Sequence, residues 1–429
     1  MNHFEVLDGE LACEGVPLRA IAEAVGTPVY VYSSATLERH YTVLRDALVA
    51  EGLGDPLIAY AVKANSNLAV LRTLGNLGAG ADTVSIGEIK RALAAGIPPE
   101  RIVFSGVGKS ESELRFALEV GVGEINVESE PEMHLASRVA QSLGRRATIA
   151  IRVNPDVSAG GHAKISTGKA DNKFGVSFSE AERLYVQAAN NAGLNPVGVT
   201  CHIGSQITEL APLEEAFIKM RGLVERLRAG GLHVERLDLG GGLGVPYFNM
   251  PTPASPADYA AMIARTMKGL DIKFAFEPGR MIAANAGVLL ATVQHIHERP
   301  EGRRFVVLDA AMNDLIRPAM YDAYHDIRPV KARDAAPVTY DVVGPVCETG
   351  DTFTRDRDLP PLEAGDLVAF MSAGAYGAVM SSEYNSRLLV PEVLVKGDEF
   401  AVVRPRPTYE DMLERERPAP WQALLKTRS

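Results

Sequence analysis

At 429 residues and 46% hydrophobic composition, the chain can bury a large core with a companion unit of ordinary size, which excludes a disordered or fibrous protein. Its 54 acidic residues outnumber 44 basic ones for a formal net charge of -10, and no long basic run is present; neither nucleic acid nor membrane is expected as a partner. The cysteines Cys13, Cys201 and Cys347 are too few for a disulfide framework, and MNHFEVLDGELACEG lacks the basic flank and apolar run of a secretory signal, so a cytoplasmic protein is expected.

At the amino end, FEVLDGELACEGVPL and then TPVYVYS read as short strands that join a β domain formed later in the chain. From about residue 57 to 279, β-branched runs alternate with Ala/Leu-rich amphipathic stretches, the pattern of repeated βα units. The runs are LIAYAVKA, GADTVS, RIVFSG, EINVES, TIAIRVNP, GVTCHIG, RLDLGGGL and KFAFEPG. Between them lie stretches such as SESELRFALEVG, opening on Ser and closing on Gly as helix caps favour. Eight such units predict an α/β fold, a (β/α)₈ barrel over residues 30–279, with an open doubly wound sheet as the alternative. The Gly-rich segment Asp156 to Val176 is too long for a barrel connection and reads as a functional or mobile loop. After Gly279, strand-like runs follow one another without regular helices, so residues 280–429 together with 1–29 are expected to form a mostly β domain.

Polar residues at the carboxyl ends of barrel strands share one mouth. Lys63 ends IAYAVKAN, where partly dry surroundings are expected to lower an amine's pKa and favour Schiff-base chemistry. Gly240, Gly241, Gly242 and Gly244 in LGGGLG offer amides that approach a phosphate without side-chain interference. His202 and Ser205 in CHIGSQ offer a flat ring and a hydroxyl. Glu277, Gly279 and Arg280 in FEPGR bring together a carboxylate, an amide and a guanidinium. Each has an ordinary reading taken singly: a solvated lysine, a tight turn, a core histidine, a structural ion pair. Four such groups at four strand ends point instead to one cofactor bearing a phosphate and an aldehyde, and no metal is expected.

At these residues the chain resembles, over nearly its whole length, the fold type III pyridoxal-phosphate enzymes and, within them, the diaminopimelate decarboxylase family. The resemblance implies pyridoxal 5'-phosphate as cofactor, a homodimer with shared active sites, and decarboxylation of meso-2,6-diaminopimelate to L-lysine and CO₂. It makes Lys63 the Schiff-base lysine and His202 the ring that stacks on the cofactor, and it assigns the phosphate to the glycine run. Glu277 becomes the partner of the pyridine nitrogen, and Asp82, Ser205 and Tyr376 are added to the cofactor set. DAAMNDLIRPAMYDAYH matches the family's substrate stretch, giving Arg317 and Tyr321 roles beside Arg280 in holding the distal carboxylate. GPVCETGD matches the segment that a partner subunit inserts, making Cys347 the proton donor and Glu348 the group that recognises the distal ammonium. GAYGAVMSSEYNSR carries Tyr376, with Asn385 nearby and Arg387 at its end.

Relatives acting on ornithine or arginine carry Cys-Asp where this chain has Cys-Glu, which favours a diamino-dicarboxylate substrate. Ile86, Glu383 and Met320 stand where the family has glycine, asparagine and leucine. Other readings are a decarboxylase of ornithine, arginine, lysine or carboxynorspermidine, a non-catalytic cofactor-binding homologue, and a racemase of the same barrel.

Overall fold

Three short strands, β1 (Phe4–Leu7), β2 (Glu10–Cys13) and β3 (Val16–Pro17), open the chain as a small antiparallel sheet in the computed structural model, which describes residues 2–158, 172–247 and 251–422. Helix α1 (Leu18–Val25), strand β4 (Val29–Ser33) and helix α2 (Ser34–Ala50) follow. Eight parallel strands then close on themselves: β5 (Leu57–Ala61), β6 (Gly80–Thr83), β7 (Ile102–Phe104), β8 (Glu124–Val127), β9 (Ala147–Arg152), β10 (Leu194–Thr200), β11 (Arg236–Asp238) and β12 (Lys273–Phe276). Closure runs through Ala275 opposite Leu57 and Phe276 opposite Ile58, so the eight expected runs are the eight strands of a barrel and the open sheet is ruled out.

Helices α3 (Leu68–Gly75), α4 (Ile86–Ala94), α5 (Glu111–Val120), α6 (Glu130–Ser142), α7 (Phe178–Ala189), α8 (Ala211–Ala229) and α9 (Pro256–Thr266) connect successive strands. Their starts follow from side-chain chemistry. Ser85, Ser110, Ser129, Ser177 and Ser255 each accept an N–H of the first helical turn, worth about 1 kcal/mol per cap. Helix α5 ends at Gly121, whose φ of 81° only glycine adopts cheaply. Helix α8 buries Leu213, Ala216, Phe217, Met220, Leu223, Val224 and Leu227, a helical stripe against the barrel.

Beyond β12 come helix α10 (Arg280–Ala283), strands β13 (Gly287–Glu298) and β14 (Arg304–Leu308), helix α11 (Arg317–Tyr321), and strands β15 (Ile327–Pro329), β16 (Val338–Val343), β17 (Thr352–Leu359), β18 (Leu367–Phe370), β19 (Glu392–Lys396) and β20 (Glu399–Arg404). With β4 they make a nine-stranded sheet. Strand β4 pairs antiparallel with β13 and parallel with β19, so a domain boundary between residues 29 and 30 cuts through a strand of the second sheet; the barrel unit begins at α2. Strands β1 to β3 pack on this domain as a separate sheet rather than joining the large one. Phe4, Leu11, Cys13 and Ile21 share a core with Val29, Val31, Val288 and Val393. Of the expected long loop Asp156 to Val176, residues 159–171 lie outside the described residues. No helix among the described residues is long and apolar enough to cross a membrane.

The two units are clamped at the end of β5. Asn65 Nδ2 donates to the Gly374 carbonyl at 3.0 Å, and the Tyr376 N–H donates to the Ala64 carbonyl at 2.8 Å. A Cβ on Gly374 would stand 2.1 Å from the Ala283 carbonyl oxygen, so only glycine permits this approach. Gly374→Ala is therefore expected to cost about 1–3 kcal/mol, the scale of overpacking in a core, seen as a lower midpoint in thermal or urea unfolding; an unchanged midpoint would show that the junction is loose.

Candidate active site

Lys63 lies in a 3₁₀ turn immediately after β5, where the barrel's carboxyl end opens. It lines a pocket together with His202, Ser205, Gly240, Gly241, Gly242, Glu277, Gly279, Arg280 and Tyr376. These residues span more than three hundred positions of sequence and meet because they follow four strands of one barrel, β5, β10, β11 and β12, or, for Tyr376, because the Gly374 junction brings it in. Asp82, on β6, reaches Lys63: Nζ to Oδ2 is 2.5 Å.

The electrostatics of this floor are set by burial. Taking Lys63 out of water works against its ammonium, but the carboxylates of Asp82 and Glu277 outweigh that and hold its pKa above the usual lysine value. The sequence expectation of a lowered amine pKa is thus reversed, because the dry surroundings come with anionic partners. Asp82 is likewise pushed up by burial but pulled lower still by Lys63, so its carboxyl lies below the ordinary range. Glu277 is 8% exposed; burial, then the like charges of Asp238 and Asp82, drive its pKa well above that of a free glutamate. Asp238, which ends β11, is raised to about 6, by burial first and then by Asp82. His202 is lowered to about 3 by burial, Arg152 and Lys63, and its Nδ1 accepts the Gly241 N–H at 3.2 Å. Its imidazole is therefore neutral at physiological pH, with Nδ1 as the acceptor.

The glycine run has two demands on it. A Cβ at Gly240 would stand 2.3 Å from the Cys201 carbonyl oxygen, and one at Gly241 2.3 Å from that of Glu277. Gly240 and Gly242 also adopt φ of 66° and 116°. Barrel packing alone thus requires bare backbone here; with the Gly240 N–H held by Asp238 Oδ1 at 2.7 Å and the Gly241 N–H by His202, the run borders the pocket without side chains. Two buried oxygens, Asp82 Oδ1 and Asp238 Oδ2, have no hydrogen-bond partner among the described residues. Such atoms are costly unless a ligand supplies donors. A phosphate-bearing heteroaromatic with a ring nitrogen fits this cradle and this carboxyl floor.

On the side of the second domain, Arg280 Nε donates to Ser205 Oγ at 3.1 Å, and its guanidinium packs over the Tyr376 ring at 4.8 Å. Arg280 and Arg317 each donate to the Tyr247 hydroxyl at 3.2 Å. Arg317, the first residue of α11, is thereby linked to the pocket although it does not line it; Tyr321 ends the same helix. Tyr376 has φ of 56°, an uncommon left-handed conformation for a non-glycine residue, held by its bond to Ala64.

Cys347 and Glu348 stand apart from this pocket, both exposed. The turn that carries them is held by Asp351, whose Oδ1 accepts the Met312 N–H and whose Oδ2 accepts the Val346 N–H, each at 2.6 Å, while Asn385 Oδ1 accepts the Cys347 N–H at 3.0 Å. Arg387 turns away, toward the Asp309 carbonyl and Asp314. Of the family departures, Ile86 opens α4, Glu383 pairs with Arg415 at 2.5 Å, and Met320 is 40% exposed. None of the three lines the pocket.

Sequence reasoning passed over Asp238, Arg152, Tyr247 and His325. Asp238 and Arg152 each end a barrel strand, RLD and TIAIR, so the strand-end criterion that found Lys63 finds them too. Tyr247 closes LGGGLGVPY and His325 closes AMYDAYH; no periodicity marks either one.

Residues 35–284 match the model of the pyridoxal-dependent decarboxylase family, pyridoxal binding domain. The chain is 50% identical to the diaminopimelate decarboxylase of Zymomonas mobilis over 98% of its own length and 100% of that protein's. It is 52% identical to that of Pseudomonas aeruginosa over 96% and 98%. Among solved structures, diaminopimelate decarboxylase from M. jannaschii in complex with L-lysine superposes with a TM-score of 0.93 at 37% identity, covering 98% of this chain and 99% of that one.

Neutral buried histidines carry a pH signature. His202 and His325 have folded pKa values of about 3 against an unfolded value near 6.5, so the unfolded chain takes up protons that the folded chain refuses. Their contribution to stability is complete above pH 6.5 and is lost as pH falls toward 3, at a limiting slope of about 1.4 kcal/mol per pH unit for each group. His325→Gln should flatten the fall in urea-unfolding free energy between pH 7.5 and 5; identical slopes in variant and parent would contradict it. Asp238, whose raised pKa works in the opposite sense between about 6 and 3.8, is common to both proteins and cancels.

Proposed function

The chain belongs to the diaminopimelate decarboxylase family of pyridoxal-dependent decarboxylases, and from that premise we propose that it releases one carboxylate of meso-2,6-diaminopimelate as CO₂ and yields L-lysine, using pyridoxal 5'-phosphate anchored at Lys63. The observation that carries this reading is the meeting of Lys63, with Asp82 against it, Glu277, His202 and the glycine run around one pocket.

The bound cofactor supplies a conjugated electron sink for the electrons left at Cα. Lys63 offers the amine that anchors it, steered by Asp82. Burial, Asp238 and Asp82 raise the proton affinity of Glu277, and its carboxyl would pair with a ring nitrogen and hold a proton there. His202, being neutral, presents an uncharged plate against which an aromatic ring stacks without repelling a protonated one. The Gly242 amide, with Ser205, takes the phosphate, joined by Gly279 and Arg280, while Gly240 and Gly241, whose amides are held by Asp238 and His202, leave room for it. Tyr376 borders both cofactor and substrate. Arg280, Arg317 and Tyr321 grip the distal carboxylate and orient the bond that must break. Glu348 pairs with the distal ammonium and Cys347 delivers a proton to Cα. Since both lie outside the pocket of their own chain, the working unit is a homodimer in which each copy's Cys347–Glu348 turn serves its partner's site.

Purified protein supplied with pyridoxal 5'-phosphate should release CO₂ and L-lysine from meso-diaminopimelate, with ornithine, arginine and lysine turned over at least about a hundredfold more slowly, the discrimination expected when a site's charged groups are left unpaired. Comparable rates on those amino acids would assign a different decarboxylase. Mixing inactive Lys63→Ala and Cys347→Ala proteins should restore roughly a quarter of wild-type activity through hybrid dimers with one complete site; no recovery would contradict the shared site.

A further inference from the structure

The function proposed above leaves Tyr247 without a task, yet its hydroxyl stands between the two arginines that reading assigns to the distal carboxylate. Arg280 Nη1 and Arg317 Nη1 each donate to it at 3.2 Å. Tyr247, Arg280 and Arg317 are all buried, at 7%, 6% and 7% exposure. Two guanidiniums brought this close in dry surroundings repel each other, and a phenol oxygen with two lone pairs is the acceptor that lets both stay.

Each arginine is also fixed from its far side. Arg280 Nε is tied to Ser205 Oγ at 3.1 Å. Arg317 Nη1 faces His325 Nε2 at 3.2 Å, and His325 Nδ1 lies 2.9 Å from the Met371 carbonyl oxygen. The carbonyl can only accept, so Nδ1 carries the proton and Nε2 accepts from Arg317. The His325 ring stands edge-on to the Tyr247 ring, with centroids 6.3 Å apart at 86°. The Nε and Nη2 protons of Arg317 meet no acceptor among the described residues.

We propose that Tyr247 is a positioning residue that sets the spacing of the Arg280 and Arg317 guanidiniums and so selects ligands carrying a carboxylate remote from the reacting carbon. This rests on the reading that these two arginines hold that carboxylate. Burial alone raises a phenol's pKa, but the two guanidiniums overcome it and draw Tyr247 below the ordinary tyrosine value, in keeping with an oxygen that carries negative charge density toward both. Without that oxygen the ring still fills its space, while the cations are free to separate. Carboxylate binding then suffers and the chemistry at Cα does not.

The test uses the full-length holoenzyme and Tyr247→Phe. KM for meso-diaminopimelate should rise about tenfold with kcat within about twofold, and the inhibition constant of L-lysine, which keeps the remote carboxylate, should rise by the same factor. The inhibition constant of cadaverine, which has no carboxylate, should not move. A merely structural role would weaken both inhibitors or lower kcat, and either outcome overturns the inference. An unchanged L-lysine constant in a wild type that decarboxylates meso-diaminopimelate overturns it alone; a wild type inert toward meso-diaminopimelate overturns the underlying reading and the inference with it.

Discussion

One ammonium set among three buried carboxyl groups governs this site. Lys63 lies 2.5 Å from Asp82, with Glu277 and Asp238 close enough for their charges to act on one another. A low-dielectric floor cannot hold three full negative charges against one lysine and the more distant Arg152. The balance is struck by division: against the effect of burial Lys63 draws the Asp82 carboxyl below the ordinary range, while burial and acidic neighbours raise Glu277 and Asp238. Three consequences follow from that one constraint. Lys63 is aimed by its partner, a carboxyl of raised proton affinity lines the pocket, and His202, buried and under the positive potential of Arg152 and Lys63, remains neutral.

The barrel makes the arrangement affordable. Each of these side chains follows a different strand whose apolar neighbours are buried, so no two of them need to be close in sequence to be close in space. The glycine run is where the requirements of fold and chemistry coincide: the carbonyls of Cys201, Glu277 and Gly204 crowd it so closely that side chains are excluded, and bare backbone borders the pocket as a result. The second domain finishes the enclosure by a similar device. Gly374 lets two backbones touch, and that contact carries Tyr376 to the rim and brings α11 with Arg317 within reach of Tyr247. The Cys347–Glu348 turn, by contrast, is fixed by Asp351 yet exposed, as the proposed homodimer with shared sites requires.

Much of the architecture was legible in the sequence because barrel strands are short, apolar and evenly spaced by capped helices. All eight runs from LIAYAVKA to KFAFEPG proved to be the strands, and Lys63, His202, Ser205, Gly240 to Gly242, Glu277, Gly279, Arg280 and Tyr376 line a single pocket. Less legible was anything decided by long-range pairing. The TPVYVYS run, read as a strand of the β domain, is β4 and lies between β13 and β19, but the expected boundary after residue 29 cuts it, because a run buried on both faces fits a central position in either sheet. The Lys63 pKa depends on which carboxylates surround it, and Tyr247 and His325 matter only through arginines remote in sequence. A local pattern carries no trace of such encounters.

The claim on which the rest turns is that Lys63 forms the covalent link to pyridoxal 5'-phosphate. Reducing the cofactor-loaded protein with borohydride, digesting it and locating the phosphopyridoxyl group by mass spectrometry reads this directly. The label should fall on Lys63, in the peptide containing AYAVKAN. A label on Lys109, Lys219 or any other lysine, or a loaded protein with no lysine labelled, would contradict it.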